Sequence, residues 1–173
     1  MNLIITCARH LEPETKDELN DILEDFGDSD AQISITSMSG ILTAETKLDP
    51  IEIVRKIKEM VLDEPWSIRY CLRIIPIQKI IESKMEEIEE AISSMSQEIL
   101  DGETYRISIE KRNSDLSSKE IITKIADKIK NKVSLEFADK IILIEVLGNK
   151  TGISILKKSD ILSIEKTKRS ISE

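Results

Sequence analysis

The sequence predicts an α+β protein of two domains. Its 173 residues fall between the usual length of one domain and that of two small ones. Apolar residues make up 40% of the chain, which is enough for a core although 34% of the residues are charged. Short segments with the two-residue period of strands alternate with segments that have the 3.6-residue period of helices. The order of these segments gives the architecture.

The first block of segments has the order β-α-β-β-α-β. Leu3–Cys7 is an apolar strand, and the helix after it ends near Gly27. The segments QISIT and ILTAE flank the turn SMSG, which is typical of a hairpin. Asp49-Pro50 opens a second helix, and SIRYCLRIIPI closes the block as a long strand. We expect one face of that strand to carry Ile68, Tyr70, Leu72 and Ile74. This order predicts a ferredoxin-like domain over residues 1–78.

The second block, residues 79–173, begins after a boundary near Pro76. A helix with a capping box of Ser83 and Glu86 is followed by the strand YRISIE. The next helix begins at Ser117 or Ser118. Its expected core-facing residues are Ile122, Ile125, Ala126, Ile129 and Val133. Two strands, IILIEVL and ISIL, then flank the turn GNKTG, and SDILSIEKTKRSISE forms a polar tail with room for one short strand.

Charge is distributed unevenly along the chain. The net charge is −8, but residues 105–173 hold 15 basic and 10 acidic side chains, a net charge of +5. The remaining residues, 1–104, hold 10 basic and 23 acidic side chains, a net charge of −13. Such asymmetry indicates a binding surface for a negatively charged partner on the second half only.

Several classes of enzyme lack their motifs in this sequence. Its five glycines form no dinucleotide-binding or phosphate-binding loop pattern. His10 is the only histidine, so triads and metal sites built on several histidines are excluded. The acidic runs EEIEE and EDFGDSD are best interpreted as solvated surface. We therefore expect no catalytic residue, no metal and no cofactor.

The two cysteines leave two interpretations open. Cys7 and Cys71 lie on strands that are neighbours in a β-α-β-β-α-β sheet, so a redox pair or half a metal site with His10 is conceivable. Two reduced, buried thiols acting as small apolar groups are favoured for an intracellular protein. That location is itself an expectation, since no signal peptide or membrane helix is visible in the sequence.

Candidate binding residues gather around two turns of the second half. Lys111 and Arg112 end a strand just before the start of a helix, where free N–H groups and the helix dipole favour phosphate. The first turn of that helix and the later hairpin turn add hydroxyl, amide and ammonium donors. These candidates are Ser117, Ser118, Lys119, Asn149 and Lys150. Together they suit contacts to RNA phosphate and sugar, but a solvated helix face accounts for them equally well.

The order of segments resembles a known family. TYRISIEKRNSDLSSKEII followed by VSLEFADKIILIEVLGNKTGISIL resembles the THUMP domain of tRNA-modifying proteins. LIITCARHLEPETKDEL, SGILTAETKLDP and RYCLRIIPI resemble the ferredoxin-like domain that precedes THUMP in those proteins. One difference is that Phe137-Ala138 stands where many members have Asn-Pro.

This resemblance implies a cytoplasmic tRNA-binding protein that contacts the acceptor stem and the 3′ CCA end. The stand-alone members that the chain resembles serve as adaptors for the RNA cytidine acetyltransferase, which would then be the protein partner. The RNA contacts would come from the seven candidates named above, with a second group on the first domain. That second group is Arg9, Arg69 and Arg73. The alternative is a protein-interaction or dimerisation module that is built on the ferredoxin-like sheet and binds no RNA.

Overall fold

A computed structural model describes residues 1–172 of the chain. Its strands are β1 (Leu3–Cys7), β2 (Gln32–Ile35), β3 (Ile41–Glu45), β4 (Cys71–Pro76), β5 (Lys79–Glu82), β6 (Tyr105–Arg112), β7 (Lys140–Leu147), β8 (Lys150–Leu156) and β9 (Leu162–Ser163). Its helices are α1 (Glu12–Asp25), α2 (Pro50–Asp63), α3 (Met85–Met95), α4 (Ser118–Ala126) and α5 (Ile164–Ser172). The α+β class is confirmed.

The chain forms two compact units. Unit 1 comprises Met1–Ile77 and the C-terminal segment from Ser159, whereas unit 2 comprises Gln78–Lys158. The sequence places the C-terminal segment with the second domain, but β9 pairs with β4 and α5 packs on α2. The reason lies in Leu162 and Ile164, which are buried in the core of unit 1.

Unit 1 is a five-stranded antiparallel sheet with helices packed on it. The strand order is β2-β3-β1-β4-β9, so the predicted ferredoxin-like arrangement is present with one added edge strand. Apolar residues of α1 and α2, such as Leu23 and Ile57, are fully buried against Leu3 and Ile5 of β1. Each such side chain contributes about 1.5–3 kcal/mol through burial.

The strand β4 is shorter than the sequence predicts, and the expected face is wrong at Leu72. Leu72 is 44% exposed, whereas Cys71 is buried. Glu18 of α1 explains the difference, since its carboxylate accepts the backbone N–H groups of Arg69, Tyr70 and Cys71 at 2.7–3.3 Å. These bonds draw the backbone out of the extended form before Cys71. A bulge opposite, between Thr6 and Cys7 of β1, completes the change of register.

The two cysteines are neighbours across β1 and β4. Cys7 is paired with Cys71 in the register, and both thiols are free and buried. Burial, the largest cause, raises the pKa of both thiols, and the Glu18 carboxylate raises that of Cys71 further. Because the thiolate is the reactive form, both thiols have low reactivity at neutral pH.

We therefore expect neither thiol to react with an aromatic disulfide reagent at pH 7.5 while the protein is folded. In guanidinium chloride, two thiols per chain should react within minutes. Reaction of one thiol in the native protein at a rate near that of free cysteine would contradict the burial of the pair.

Unit 2 is a four-stranded sheet with the order β5-β8-β7-β6. Strand β6 runs parallel to β7, whereas the other pairs are antiparallel. The helices α3 and α4 supply Ile88, Ile92, Ile121 and Ile125 to a second core with Tyr105. Within residues 1–172, no helix has the length and apolar character that crossing a membrane requires.

Two details of unit 2 differ from the sequence predictions. Helix α4 ends at Ala126, so its buried residues are Ile121 and Ile125, whereas Ile122 and Val133 are exposed. Helix α3 begins at Met85 after Lys84 and has no side-chain cap, so the expected Ser83–Glu86 capping box is absent. The Ser83 hydroxyl lies 2.8 Å from the hydroxyl of Thr151 instead.

Candidate nucleic-acid interface

The candidate residues of unit 2 converge at one end of its sheet. Strands β5, β6 and β7 point the same way, because β5 and β7 are both antiparallel to β8 and β6 is parallel to β7. Their carboxyl ends therefore lie together with the β7–β8 turn. Helix α3 starts directly after β5, and α4 starts after a short loop from β6. We call this region the basic end of unit 2, and its cationic side chains are Lys84, Lys111, Arg112, Lys119 and Lys150.

Lys111 and Ser117 hold the loop between β6 and α4. The Lys111 ammonium donates to the carbonyl oxygen of Leu116 at 2.5 Å, and the Ser117 hydroxyl accepts the backbone N–H of Glu120 at 3.2 Å. Ser117 is thus the N-cap of α4, as predicted. Both side chains therefore help to fix the conformation of this loop.

Arg112 forms an ion pair with the buried carboxylate of Glu145. Its guanidinium lies 3.5 Å from Glu145, whose side chain is 2% exposed, whereas the Arg112 side chain is 31% exposed. Arg112 therefore faces a buried acid on one side and solvent on the other. Its removal would perturb unit 2 as well as any bound ligand, because buried ion pairs are sensitive to loss of one partner.

Lys119 and Lys150 have exposed ammonium groups, and Lys150 lies near enough to its cross-strand partner Glu82 to lower the pKa of that carboxyl. Both are exposed, and among residues 1–172 no carboxylate lies within 4.0 Å of either ammonium group. Lys119 stands in the first turn of α4 beside Ser118, whereas Lys150 follows Asn149 in the β7–β8 turn. These two lysines are the cations best placed to meet phosphate.

Lys84, which is not among the residues predicted from the sequence, joins Asn149 and Lys150 around a small recess. This recess has a volume of about 230 Å³ and is also lined by Glu82 and Ser83. Lys84 forms a 2.9 Å ion pair with Glu82, which lowers the pKa of that carboxyl. The signal that would have revealed it is a lysine next to the start of a helix, where free N–H groups favour phosphate.

The basic end can bind phosphate groups but offers little to bases. It presents ammonium and guanidinium groups, hydroxyls and the N-terminal N–H groups of two helices. Its named residues include no aromatic side chain for stacking. Recognition here would follow the backbone and shape of a folded nucleic acid.

The three arginines predicted in unit 1 lie on or next to the paired strands β1 and β4. Arg9 is exposed and donates to the hydroxyl of Ser39 at 3.0 Å, whereas Arg73 lies within β4 between β1 and β9. Arg69 is exposed in the bend whose backbone Glu18 holds. Nearby carboxylates line a groove along α1, among them Asp17, Asp21 and Asp25. These acids repel phosphate from that side of unit 1.

A family model identifies unit 2. Residues 82–156 match the model of the THUMP domain, which covers most of unit 2 and all of the basic end. The chain thus contains a THUMP domain, as its sequence resemblance implied. No curated protein matches the chain.

Solved structures of several larger proteins share the fold of the chain. PH1313 from Pyrococcus horikoshii Ot3 is 18% identical, with a TM-score of 0.64 over 91% of this chain and 55% of that one. TrmN from Thermus thermophilus is 11% identical, with a TM-score of 0.58 over 90% and 45%. A 4-thiouridine synthetase in complex with RNA and ATP is 11% identical, with a TM-score of 0.60 over 94% and 42%. The chain spans about half the length of these proteins, and the likeness establishes the fold.

Proposed function

We propose that this protein is a non-catalytic, cytoplasmic tRNA-binding protein. It contacts the acceptor stem and 3′ CCA end and presents the tRNA to a modification enzyme. The enzyme in this proposal is the RNA cytidine acetyltransferase, and the product is N4-acetylcytidine. The observation that carries the proposal is the convergence of cations, hydroxyls and two helix N-termini at one end of a THUMP domain.

Two further observations support the proposal. The structurally similar proteins include a 4-thiouridine synthetase in complex with RNA, and they extend well beyond the part that this chain matches. The positive charge of residues 105–173 suits a polyanion, whereas the acidic groove of unit 1 does not. Contact with RNA through unit 2 is therefore favoured over nonspecific electrostatic binding to the whole protein surface.

The first test is charge reversal at Lys119 and Lys150, the two lysines without an ion-pair partner. We expect the double variant Lys119→Glu/Lys150→Glu to bind tRNA more than about tenfold more weakly than wild type at 0.1 M salt. Its plot of log affinity against log salt should be shallower by about 2, since two phosphate contacts are lost. Fluorescence anisotropy with labelled tRNA over a salt series measures both quantities.

A matched control separates a local site from net charge. Lys130→Glu/Lys132→Glu changes the charge by the same amount through exposed lysines beyond the end of α4. This control should keep nearly wild-type affinity and slope. If both double variants lost tRNA affinity equally, binding would depend on the net charge of the protein and not on the basic end.

A second comparison tests the part of the tRNA that is contacted. Wild-type protein should bind intact tRNA more tightly than the same tRNA without its 3′ CCA end. Equal affinity for both forms would remove the CCA end from the proposal. Binding to neither form at low salt would favour the interaction-module alternative instead.

A further inference from the structure

The acidic groove of unit 1 is a second candidate binding surface, and its chemistry differs from that of the basic end. It has a volume of about 500 Å³. Helix α1 forms one wall, and the end of α2 with the turn after it forms the other. Its carboxylates are Glu14, Asp17, Glu18, Asp21, Asp25 and Glu64. Among the described residues that line the groove, none is a lysine, an arginine or a histidine.

Five of these six acids form a row along one face of α1. Their spacing from Glu14 is three, four, seven and eleven residues. At 3.6 residues per turn, side chains with this spacing fall within about 100° of the helix circumference. The row from Glu14 to Asp25 is about 16 Å long at about 1.5 Å per residue. The groove therefore presents a straight line of negative charge three turns of helix in length.

The chain itself does not neutralise this row. Among residues 1–172, no cationic group lies within 4.0 Å of any of the six carboxylates. Three cations lie near the groove in the sequence. Lys16 is on the side of α1 away from the centre of the row, and the Lys168 ammonium donates to the carbonyl oxygen of Ile68 at 2.7 Å. The third, Arg69, is exposed and forms no ion pair within the described residues.

The row lowers the stability of the helix that carries it. Asp17, Asp21 and Asp25 are four residues apart, and like charges at that spacing destabilise a helix. Asp25 ends α1, where the negative end of the helix dipole disfavours a carboxylate, and no basic residue occupies the last turn. Residues that break such local rules are expected at functional sites. The row is therefore better explained by a ligand than by folding.

Other groups of the groove point to a ligand with apolar as well as cationic atoms. Ile22, Met60 and Tyr70 contribute apolar lining. The hydroxyl oxygen of Ser67 in the second wall is buried and has no hydrogen-bond partner within residues 1–172. A polar group that entered the groove could satisfy it. Trp66, next to Ser67, is 70% exposed, and its ring offers a cation–π contact to lysine or arginine.

The charge and spacing of the acids decide among the possible occupants. RNA is excluded because the carboxylates repel phosphate. Within residues 1–172, no three acidic, cysteine or histidine side chains are close enough together to hold a metal ion. The same groove of a second copy carries the same charge, so a symmetric dimer through this face is disfavoured. An elongated polycation with apolar side chains remains, and a protein segment has that chemistry.

We propose that the acidic groove docks a segment of a protein partner that carries lysine or arginine on one face and apolar side chains beside them. The cations pair with the row on α1, and the apolar side chains contact Ile22, Met60 and Tyr70. This inference goes beyond the proposed function, because it concerns unit 1 and a protein ligand, whereas the candidate RNA contacts of the basic end belong to unit 2. Its test needs no RNA.

The test uses the full chain and two labelled peptides of about 14 residues, a length of about 21 Å as a helix. The first carries arginines three and four residues apart with leucines beside them, and the second has serines in place of the leucines. The groove variant is Asp21→Asn/Asp25→Asn. Its matched control is Glu59→Gln/Glu90→Gln, which removes the same charge from exposed positions outside the groove. Fluorescence anisotropy at 0.1 M salt measures the affinities, and urea denaturation measures stability.

We expect wild type to bind the leucine peptide more tightly than the serine peptide. The groove variant should bind the leucine peptide about tenfold more weakly than wild type, because two ion pairs are lost. The control variant should bind it as wild type does. The groove variant should also be at least as stable as wild type, because two like-charge contacts on α1 are removed. A loss of binding without a loss of stability separates a binding role from a structural one.

Three results would overturn the inference. Equal losses in the groove variant and the control would show that only net charge matters. Equal affinity of wild type for the two peptides would assign the groove to any polycation, such as a polyamine. Self-association of wild type in analytical ultracentrifugation that the groove variant abolishes would assign the groove to a second copy of the chain.

Discussion

Asp28→Ala should destabilise the protein by about 4 kcal/mol, because it removes the acceptor for three hydrogen-bond donors. Asp28 is 2% exposed, and its carboxylate accepts the Thr46 hydroxyl at 2.5 Å and the Lys47 N–H at 2.9 Å. Its other oxygen accepts the N–H of Asp30 at 3.1 Å. Urea denaturation at pH 7 measures the free energy of unfolding for both proteins.

The pH dependence of this difference has a defined sign. The Thr46 hydroxyl, more than the two N–H groups, holds the pKa of Asp28 below its ordinary value. The contribution of the folded carboxylate is therefore complete above about pH 4, the range of the unfolded group, and declines as the pH falls further. The difference in free energy of unfolding between wild type and Asp28→Ala should therefore be smaller at pH 3 than at pH 7. Asp30→Ala, which alters an exposed neighbour, is the control and should remain within about 0.5 kcal/mol of wild type.

Gly40→Ala should destabilise unit 1 by about 3 kcal/mol. Gly40 has a φ of +74°, which an alanine tolerates poorly, and a Cβ there would lie 2.6 Å from the carbonyl oxygen of Cys7. That carbonyl belongs to the backbone of β1 and cannot rotate away. The Gly40 carbonyl oxygen accepts the N–H of Cys7 at 2.9 Å, and the Gly40 N–H donates to the Glu12 carboxylate at 2.8 Å. A shift of the backbone at residue 40 would therefore break these hydrogen bonds as well.

Gly102→Ala separates the two contributions at Gly40. Gly102 also has a positive φ, +85°, but a Cβ there has no atom within 4 Å. Its loss of stability should be only about 1–2 kcal/mol, the conformational part alone. If thermal denaturation gave the two variants equal losses, close contact with Cys7 would not be the reason for glycine at position 40.

Regular patterns allowed most of the fold to be predicted. Alternation identified the β2–β3 hairpin, and Asp49 was a reliable helix start because its carboxylate caps the N–H of Glu52 at 2.9 Å. The short strand β5 was missed, since Lys79–Glu82 has only two apolar residues and gains its partner, β8, from 70 residues away. Helix α5 was missed because most of its residues are polar and only Ile164 and Thr167 are buried.

The sequence indicated candidate residues for the interface, but it did not indicate which of their side chains have ion-pair partners. Local sequence placed Lys111, Arg112 and Lys119 next to a helix start, and the order of segments resembled a THUMP domain. Nothing local to Arg112 indicated Glu145, because the two residues meet only when β6 and β7 pair. A different pairing of distant strands, that of β5 with β8, brings Lys84 to the same recess as Lys150. Tertiary contacts therefore decide which cations have no carboxylate partner.

The return of β9 and α5 to unit 1 sets the order in which the chain can finish folding during synthesis. The segment that closes the β4 edge and buries Leu162 and Ile164 leaves the ribosome only after all of unit 2. Unit 2 is continuous in sequence, so its folding needs no later residues, whereas unit 1 starts first and is completed last. Until then the edge of β4 lacks its partner β9, and an open strand edge is a template on which another chain can pair.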